Sequence, residues 1–212
     1  MAEYEPQTYQ IITMIERDMN LQNTTETDIN YTQCYPLCFV NQVLCMDWQE
    51  GIKLVFDKSV DLVVTEPPYG MQFQSNHRNI KHKSIQNDDN LDWLGSWCKE
   101  LKRVCKDEAH LYVFCSWHNV DVFKQKLGAY FQIKNILIWE KNNTGMGDLE
   151  GDYAPKYEMI IFCSNGQKKL NGGRDANILK AKRTGNENHP TEKPVNLIRY
   201  LIEKSSNKGD LV

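Results

Sequence analysis

The residues best suited to chemistry in this chain follow a short apolar run. Val60-Asp-Leu-Val-Val-Thr65 leads directly into Glu66-Pro-Pro-Tyr69, so an acid, two prolines and an aromatic ring come at the end of a predicted strand. Open α/β sheets bind ligands beyond the carboxyl ends of their strands. Proline fixes φ and has no N–H group. We therefore expect a rigid turn in which the Glu66 carboxylate and the Pro67 carbonyl face outward beside the ring of Tyr69.

Two oxygen acceptors beside an aromatic face suit the exocyclic amino group of a nucleobase. That nitrogen is a poor nucleophile because its lone pair is delocalised into the ring. Acceptors that hold both N–H bonds draw it toward tetrahedral geometry, while the aromatic ring stacks on the base. The alternative is a purely structural Pro-Pro turn, and the acid at the turn favours chemistry. The predicted catalytic residues are Glu66, Pro67, Pro68 and Tyr69.

A second segment with ligand-binding chemistry, His189-Pro-Thr-Glu-Lys-Pro194, opens a predicted helix over Thr191–Lys204. Thr191 is a favourable N-cap residue. A helix N-terminus with Lys193 beside it would bind a carboxylate, and an ordinary capped helix is the alternative. Asp47 ends another apolar run, where it is either an acceptor for a ligand's amino group or a solvated acid.

These segments together resemble the DNA amino-methyltransferases that use S-adenosyl-L-methionine. Glu66-Pro-Pro-Tyr69 is similar to their D/N/S-P-P-Y/F motif. Three further segments resemble the permuted β class in its order: Asn41-Gln-Val-Leu-Cys-Met-Asp47, then Trp139-Glu-Lys-Asn142 with Tyr157-Glu-Met-Ile-Ile-Phe162, then His189-Pro-Thr-Glu-Lys-Pro194. The resemblance covers about 41–212.

The resemblance implies a fold, a reaction and partners. The expected fold is an α/β, Rossmann-like methyltransferase sheet with helices on both faces. The expected reaction transfers a methyl group from S-adenosyl-L-methionine to adenine N6, or less favoured cytosine N4, of a base flipped from double-stranded DNA. The residues that would bind the cofactor are Asp47, Glu66, His189, Thr191, Lys193 and Pro194.

Two departures from the family pattern affect these expectations. The family's acid is Asp, Asn or Ser, and the extra methylene of Glu66 moves the carboxylate by about an ångström, which can cost on the order of a hundredfold in rate. The family's F-x-G-x-G turn and the acidic strand after it have no counterpart before the last residues, Lys208-Gly-Asp-Leu-Val212. We therefore predict an incomplete sheet and weak or no cofactor binding by the chain alone. The alternative function is a catalytically silent or split-enzyme subunit, working as a homodimer or with a complementing methyltransferase fragment.

The elements that must position these residues follow an alternating pattern. From Asn41 onward, short apolar runs alternate with amphipathic segments, which is typical of an α/β sheet with helical crossovers. Residues 1–38 differ, with apolar residues at helical spacing from Tyr9 to Met19 and then a polar linker, and predict a helical appendage to a methyltransferase domain at 39–212. Strands are predicted at Gln42–Met46, Val60–Thr65, Ala109–Cys115, Ile133–Trp139 and Tyr157–Cys163, and helices at Leu91–Cys105, His118–Leu127 and Thr191–Lys204.

Local basic clusters suggest contacts with nucleic acid, although 25 Lys and Arg against 28 Asp and Glu give a net charge of -3. Lys and Arg contacts to phosphate position a protein on DNA, and contacts to base edges specify sequence. The basic residues form two clusters, at 78–83 and at 174–183. For each cluster, a solvated loop without a nucleic-acid contact is the alternative. Segments 140–156 and 166–188 are the candidate target-recognition region, in which Asn171, Arg174 and Asn177 have side chains suited to base edges. The predicted DNA-binding residues are Arg78, Lys81, Lys83, Arg174, Lys180, Lys182 and Arg183.

The overall composition is that of an ordinary globular protein, with 41% hydrophobic residues and a mean hydropathy of -0.60. No apolar run reaches the roughly 18 residues of a membrane span. Met1–Gln10 lacks the features of a signal peptide, so we expect a cytoplasmic protein with reduced thiols at its seven cysteines. Cys34 and Cys38 have no second pair at zinc-site spacing, and no metal is predicted.

Overall fold

The computed structural model describes residues 10–14, 41–71, 88–145, 148–185 and 191–212. In these ranges the chain forms two β-sheets with helices between their strands. The strands are β1 (Gln10–Met14), β2 (Gln42–Met46), β3 (Val60–Thr65), β4 (Cys105–Cys115), β5 (Gln132–Glu140), β6 (Tyr157–Asn165) and β7 (Ile178–Lys180). The helices are α1 (Trp48–Gly51), which continues into a 3₁₀ turn at Ile52–Leu54, α2 (Leu94–Val104), α3 (Val120–Gly128) and α4 (Val195–Ser205).

The larger sheet has five strands in the order β3-β4-β6-β5-β7. β3 is parallel to β4, β6 is antiparallel to both β4 and β5, and β7 is parallel to β5. Ala109–Cys115 of β4 is buried throughout, as expected for a central strand covered on both faces. The predicted α/β class is therefore confirmed, and all five predicted strands form.

Helices cover both faces of this sheet, as predicted. Alternate residues of a strand point to opposite faces. The face of β4 that contains Leu111 and Val113 packs with α2 and α3 in one hydrophobic core. The face that contains Tyr112 and Phe114 packs with Leu197 of α4 in another. α4 thus lies alone, among the described helices, against the face of the sheet that carries these two aromatic residues.

The predicted N-terminal helix is wrong for Gln10–Met14, which form a strand. These five residues pair antiparallel with Gln42–Met46, so that Ile12 lies opposite Leu44. Ile11, Ile12 and Thr13 are β-branched, a side-chain type that favours strands. The rest of the proposed 1–38 appendage lies outside the described residues, and the division at residue 38 stays a prediction.

The predicted start of the last helix is also wrong, because α4 begins at Val195 rather than Thr191. Its N-cap is Pro194, with φ −65° and ψ 131°, and no side chain caps the helix. Proline disfavours the helical conformation in the residue before it, so Lys193 cannot continue a helix from Thr191. The consequence is a non-helical approach that carries the Lys193 side chain to the sheet.

The polar segment after β6 contains a strand that the sequence pattern did not predict. Ile178–Lys180 extends the sheet beside β5, and Nε1 of the buried Trp139 donates to the Ala181 carbonyl oxygen at 2.9 Å. Three residues are too few to show a strand periodicity. The short strand anchors the middle of the predicted recognition segment against the sheet.

β3 lies at the other edge of the five-stranded sheet. Backbone N–H groups of Asp61 and Leu62 donate to the Leu211 carbonyl oxygen at 2.9 and 3.2 Å, and the Leu211 N–H donates to the Asp61 carboxylate at 3.0 Å. The sequence predicts an incomplete sheet. Leu211 contacts the sheet at this edge strand, β3. No helix among the described residues is long and apolar enough to cross a bilayer.

Candidate active site

The turn after β3 is held in place by its neighbours. Pro67 and Pro68 are buried. Gly70 has φ +71°, and a Cβ at this position would lie 2.9 Å from a side-chain carbon of Leu91. The Asp88 carboxylate accepts from the Gly70 N–H at 2.8 Å. A glycine is therefore required here both by backbone conformation and by space.

The carbonyl side of the turn is fixed as well. Asn119, just before α3, donates from Nδ2 to the Tyr69 carbonyl oxygen at 2.7 Å. Within the part of the chain that the structure describes, the Pro67 carbonyl oxygen accepts no backbone hydrogen bond. The turn is thus tied to its neighbours at Gly70 and at Tyr69, and the acceptor role of the Pro67 carbonyl oxygen stays a prediction.

The Glu66 carboxylate is held through one of its two oxygens. Oε1 accepts from the Tyr69 hydroxyl at 3.2 Å and from Lys193 Nζ. Within the described ranges, no donor reaches Oε2. The Glu66 side chain keeps 31% of its surface exposed. The acid is thus anchored at one oxygen while the carboxylate remains accessible.

Lys193 is the centre of a small charged network, with only 8% of its side chain exposed. Besides Glu66, its ammonium group lies 3.2 Å from Glu158 Oε2 and donates to the Thr191 carbonyl oxygen at 3.0 Å. Glu158 Oε1 in turn pairs with Lys141 at 2.7 Å. We call these residues, Glu66, Tyr69, Lys141, Glu158 and Lys193, the carboxylate network.

Burial shifts the pKa values in the carboxylate network. Desolvation raises the pKa of Glu66 above its usual value, the positive charge of Lys193 opposes that rise, and the negative charge of Glu158 adds to it. Desolvation also raises the pKa of Tyr69 well above its usual value, and the two carboxylates raise it further. Tyr69 is therefore a neutral hydrogen-bond donor to Glu66. Perturbed acids in an accessible site are typical of functional residues.

The predicted cofactor residues fall into separate parts of the structure. Asp47 Oδ1 accepts from the Gln49 N–H at 2.8 Å and so caps α1. Thr191 and Pro194 lie on the approach to α4, beside the carboxylate network. His189 lies outside the described residues. The predicted cofactor roles of these residues remain predictions.

The predicted DNA-binding residues of the polar segment are on the surface. Arg174, Lys180, Lys182 and Arg183 are all exposed, and Lys180 makes only a long contact of 3.8 Å with Glu140. Arg78, Lys81 and Lys83 lie outside the described residues. The four exposed cations are accessible to a phosphate backbone.

Two of the three candidate base-reading side chains donate hydrogen bonds to backbone carbonyl oxygens of the protein itself. Asn171 donates from Nδ2 to the carbonyl oxygens of Glu203 and Ser206, both at 2.9 Å, and so satisfies the end of α4. Asn177 donates to the Ile136 carbonyl oxygen at 3.2 Å. Arg174 and Asn177 are nevertheless both exposed, so a base-reading role for these two side chains stays a prediction.

The structure brings together residues that the sequence analysis assigned to different tasks. Glu66 and Tyr69, predicted as catalytic, meet Lys193, which was predicted to hold a cofactor carboxylate. No sequence pattern pointed to a role for Glu158 or Asn119. A charged residue near the start of a buried strand is a signal that could have identified Glu158, whereas nothing local marks Asn119.

The match to a known family completes this description. The family model described as DNA methylase, of the N6/N4 class, matches residues 60–212, which include the Glu66 turn, the carboxylate network and α4. The chain therefore belongs to the family of N6-adenine and N4-cytosine DNA amino-methyltransferases.

Individual relatives agree with this placement. The chain is 30% identical over 155 residues to YubD of Escherichia coli K12, an alignment that covers 73% of this chain and 65% of YubD. It is 26% identical to the DNA adenine methyltransferase YhdJ of the same strain, with coverage of 85% and 74%. Identity to the type II methyltransferase M.HpaI of Haemophilus parainfluenzae is 25%, with coverage of 81% and 62%. The chain thus spans less than two thirds of the length of YubD and of M.HpaI.

Solved structures show the same fold at lower identity. The M1.HpyAVI–SAM complex superposes with a TM-score of 0.52 at 19% identity, covering 76% of this chain and 72% of that one. The cytosine-N4-specific PvuII DNA methyltransferase gives a TM-score of 0.58 at 15% identity, covering 75% and 68%. These likenesses establish the methyltransferase fold.

Proposed function

We propose that this chain carries the catalytic turn of a DNA methyltransferase that modifies the exocyclic amino group of a flipped adenine (N6) or cytosine (N4). The observation that carries the proposal is the Glu66 carboxylate, held by one oxygen at the carboxyl end of β3 with Oε2 accepting no hydrogen bond from any described residue. Family membership supports the same reaction class. A relative named as an adenine methyltransferase favours adenine.

The reaction needs two acceptors for one amino group. Glu66 Oε2 and the Pro67 carbonyl oxygen are the two that the turn offers. Accepting both N–H bonds would localise the nitrogen lone pair and raise its nucleophilicity. Because the oxygens are fixed before the base arrives, little reorganisation is required at the moment of reaction.

Tyr69 contributes in two ways in this proposal. Its hydroxyl donates to Glu66 Oε1, which favours one orientation of the carboxylate. Its ring packs partly against the core that contains α4, and its remaining face would stack on the flipped base.

A protonated Glu66 would lose acceptor capacity, so activity should fall at acidic pH.

S-adenosyl-L-methionine is the cofactor that this chemistry requires, and when bound it supplies the methyl group. The Asp47 carboxylate has the right chemistry to accept from the hydroxyl or amino groups of this cofactor, whereas Glu66 Oε2 is assigned to the base in this proposal. The first turn of α4 offers N–H groups to an anionic carboxylate. Lys193 is less suited to that carboxylate, because Glu66 and Glu158 already share its charge.

The direct test is transfer of a tritiated methyl group from S-adenosyl-L-methionine, at high concentration, to mixed-sequence double-stranded DNA. Because the chain alone is predicted to bind the cofactor weakly, the cofactor is supplied in excess, and we expect slow but measurable incorporation with the native chain. Glu66→Ala should lose at least about a hundredfold of it, a change typical of a lost catalytic hydrogen-bonding group. Glu108→Gln is the matched control, because Glu108 is an exposed acid on β4 and should leave transfer unchanged.

Analysis of the methylated nucleosides after digestion identifies the product. N6-methyladenine supports the adenine preference, and N4-methylcytosine replaces it with cytosine. Equal incorporation by the native chain and Glu66→Ala, or no incorporation by either, would contradict the proposed role of the turn.

A further inference from the structure

We propose that Lys193 and Glu158 are positioning residues for Glu66: Lys193 holds Oε1, Glu158 holds Lys193, and Oε2 is left as the acceptor for the amino group. This inference rests on the proposed function for the role of Oε2. The contacts themselves stand independently of it.

The geometry of Lys193 supports positioning rather than a surface ion pair. Its side chain is almost fully buried, and its ammonium group lies 5.6 Å from the centre of the Phe114 ring. Besides the two carboxylates, it donates to the Thr191 carbonyl oxygen. Four neighbours thus fix the ammonium group. A buried charge is stabilised only when it is well paired, so this lysine has little freedom to leave Glu66.

Glu158 is bound to the network from two sides. Oε1 pairs with Lys141 at 2.7 Å, and Lys141 lies over the Trp139 ring at 5.1 Å. The buried Oε2 has no hydrogen-bond partner among the described residues and lies 3.2 Å from Lys193 Nζ. Glu158 therefore balances part of the positive charge of Lys193 that Glu66 does not.

This arrangement gives the longer acid a rationale. The backbone of the turn is fixed by its prolines and by Asn119, so the side chain must reach Lys193 by its own length. Glu66 reaches it with Oε1, and an aspartate would be about an ångström shorter. The length of the glutamate side chain therefore suits the position of Lys193, which Glu158 holds in place.

The two positioning residues should shift the ionisation of Glu66 in opposite directions. Lys193 favours the carboxylate form and Glu158 disfavours it. The other ionisable groups that face this cluster are Tyr69, Cys115 of β4, and Lys141, which pairs with Glu158. Removing the lysine should raise the pKa of Glu66, and removing the Glu158 charge should lower it.

The first experiment measures the ionisation of Glu66 without methyl transfer. The side-chain carboxyl carbons of ¹³C-labelled glutamates are followed by NMR across a pH titration, and the Glu66 resonance is assigned from its loss in Glu66→Gln. We expect the midpoint to move to higher pH in Lys193→Met and to lower pH in Glu158→Gln, and to stay close to native in Lys193→Arg.

Lys204→Met is the matched control for the titration. Lys204 is another largely buried lysine, with 11% of its side chain exposed, and it pairs with Asp175 at the far end of α4. Its loss should leave the Glu66 midpoint unchanged. If Lys193→Met does not fold, as judged by far-ultraviolet circular dichroism, Glu158→Gln and Lys193→Arg decide the outcome.

The second experiment measures the acid limb of methyl transfer as a function of pH. The limb should move in the same directions as the NMR midpoints, with Lys193→Arg restoring the native profile. Unchanged midpoints in both Lys193→Met and Glu158→Gln would overturn the proposal. A rise only in the cofactor KM of Lys193→Met, with the limb unmoved, would also overturn it and assign Lys193 to the cofactor carboxylate. Shifted midpoints without any methyl transfer would retain the network and reject the proposed function.

Discussion

Two polar clusters lie at opposite ends of α4, and they differ in charge and in burial. At the start of the helix, Lys193 contacts the carboxylates of Glu66 and Glu158. At its end, Ser205 contacts His110 and Tyr112. The first cluster is built from ions and includes an exposed acid, whereas the second is buried and contains neutral groups. We therefore propose that the first cluster serves the reaction, whereas the second holds α4 to the sheet.

The neutral cluster forms a single directed chain of hydrogen bonds. His110 Nε2 faces the Lys168 carbonyl oxygen at 3.1 Å and must therefore donate. Nδ1 then accepts from the Ser205 hydroxyl at 2.9 Å, and Ser205 accepts from the Tyr112 hydroxyl at 2.7 Å. Each polar atom has a partner, so a neutral His110 satisfies the chain. Burial accordingly lowers the pKa of His110 to about 4.

In the charged cluster, the contacts of Glu66 do not offset the cost of burying its charge. Desolvation keeps the pKa of Glu66 raised although Lys193 is in contact with it. A carboxylate that is harder to ionise than in water destabilises the folded protein at neutral pH. The proposed role of Glu66, an acceptor held ready for a ligand, would explain why such a group is present. The contrast predicts that the two clusters respond differently to pH and to substitution.

The largest expected effect is the loss of stability that His110 causes in acid. Its pKa is about 4 when folded, against an ordinary value of 6.5, so the unfolded chain binds the extra proton first. Stability is therefore retained above pH 6.5 and falls as the pH drops toward 4, by about 3 kcal/mol from this group. Urea unfolding at several pH values measures it. His110→Gln should flatten this part of the pH dependence, and an equally steep fall in that variant would assign the effect elsewhere.

The second effect is on the rate of transfer. Glu66→Asp should slow methyl transfer by up to about a hundredfold, because the shorter carboxylate cannot reach Lys193 and a displacement of about an ångström is that costly. Single-turnover rates at saturating cofactor measure it, with Glu108→Asp as the control. The family pattern, in which this position is Asp, Asn or Ser, predicts the opposite: faster methyl transfer by Glu66→Asp. Whether the rate falls or rises in this variant therefore decides between the positioning role of Lys193 and the family pattern.

The smallest effect is on stability at neutral pH. Ser205→Ala should reduce the free energy of unfolding by about 1–3 kcal/mol, since it leaves Tyr112 and His110 without their shared partner. Ser96→Ala is the control, because the exposed Ser96 in the first turn of α2 donates to the Trp93 carbonyl oxygen at 2.7 Å and its loss should cost less. Transfer per folded molecule should be the same in both variants, and a selective loss of transfer in Ser205→Ala would end the separation of the two clusters.

The sequence predicted much of the fold because the buried strands are continuous apolar runs. β2 and β3 have the predicted boundaries, and hydrogen bonds from neighbouring residues hold the turn after β3. The errors lie where pattern and backbone chemistry compete. Gln10–Met14 has spacing that fits a helix, but pairing with β2 makes it a strand. The last helix starts late because Pro194 excludes a helical Lys193.

The sequence by itself determined the chemistry of the turn after β3, because the residue types of Glu66-Pro-Pro-Tyr69 set its acceptors and its rigidity. It also determined the family, since several ordered segments carry the resemblance. Only the tertiary structure decided that Lys193 pairs with Glu66 and that Glu158 supports it. Those contacts join residues that are far apart in the chain, and their distances depend on how α4 packs against the sheet. No local pattern encodes that packing.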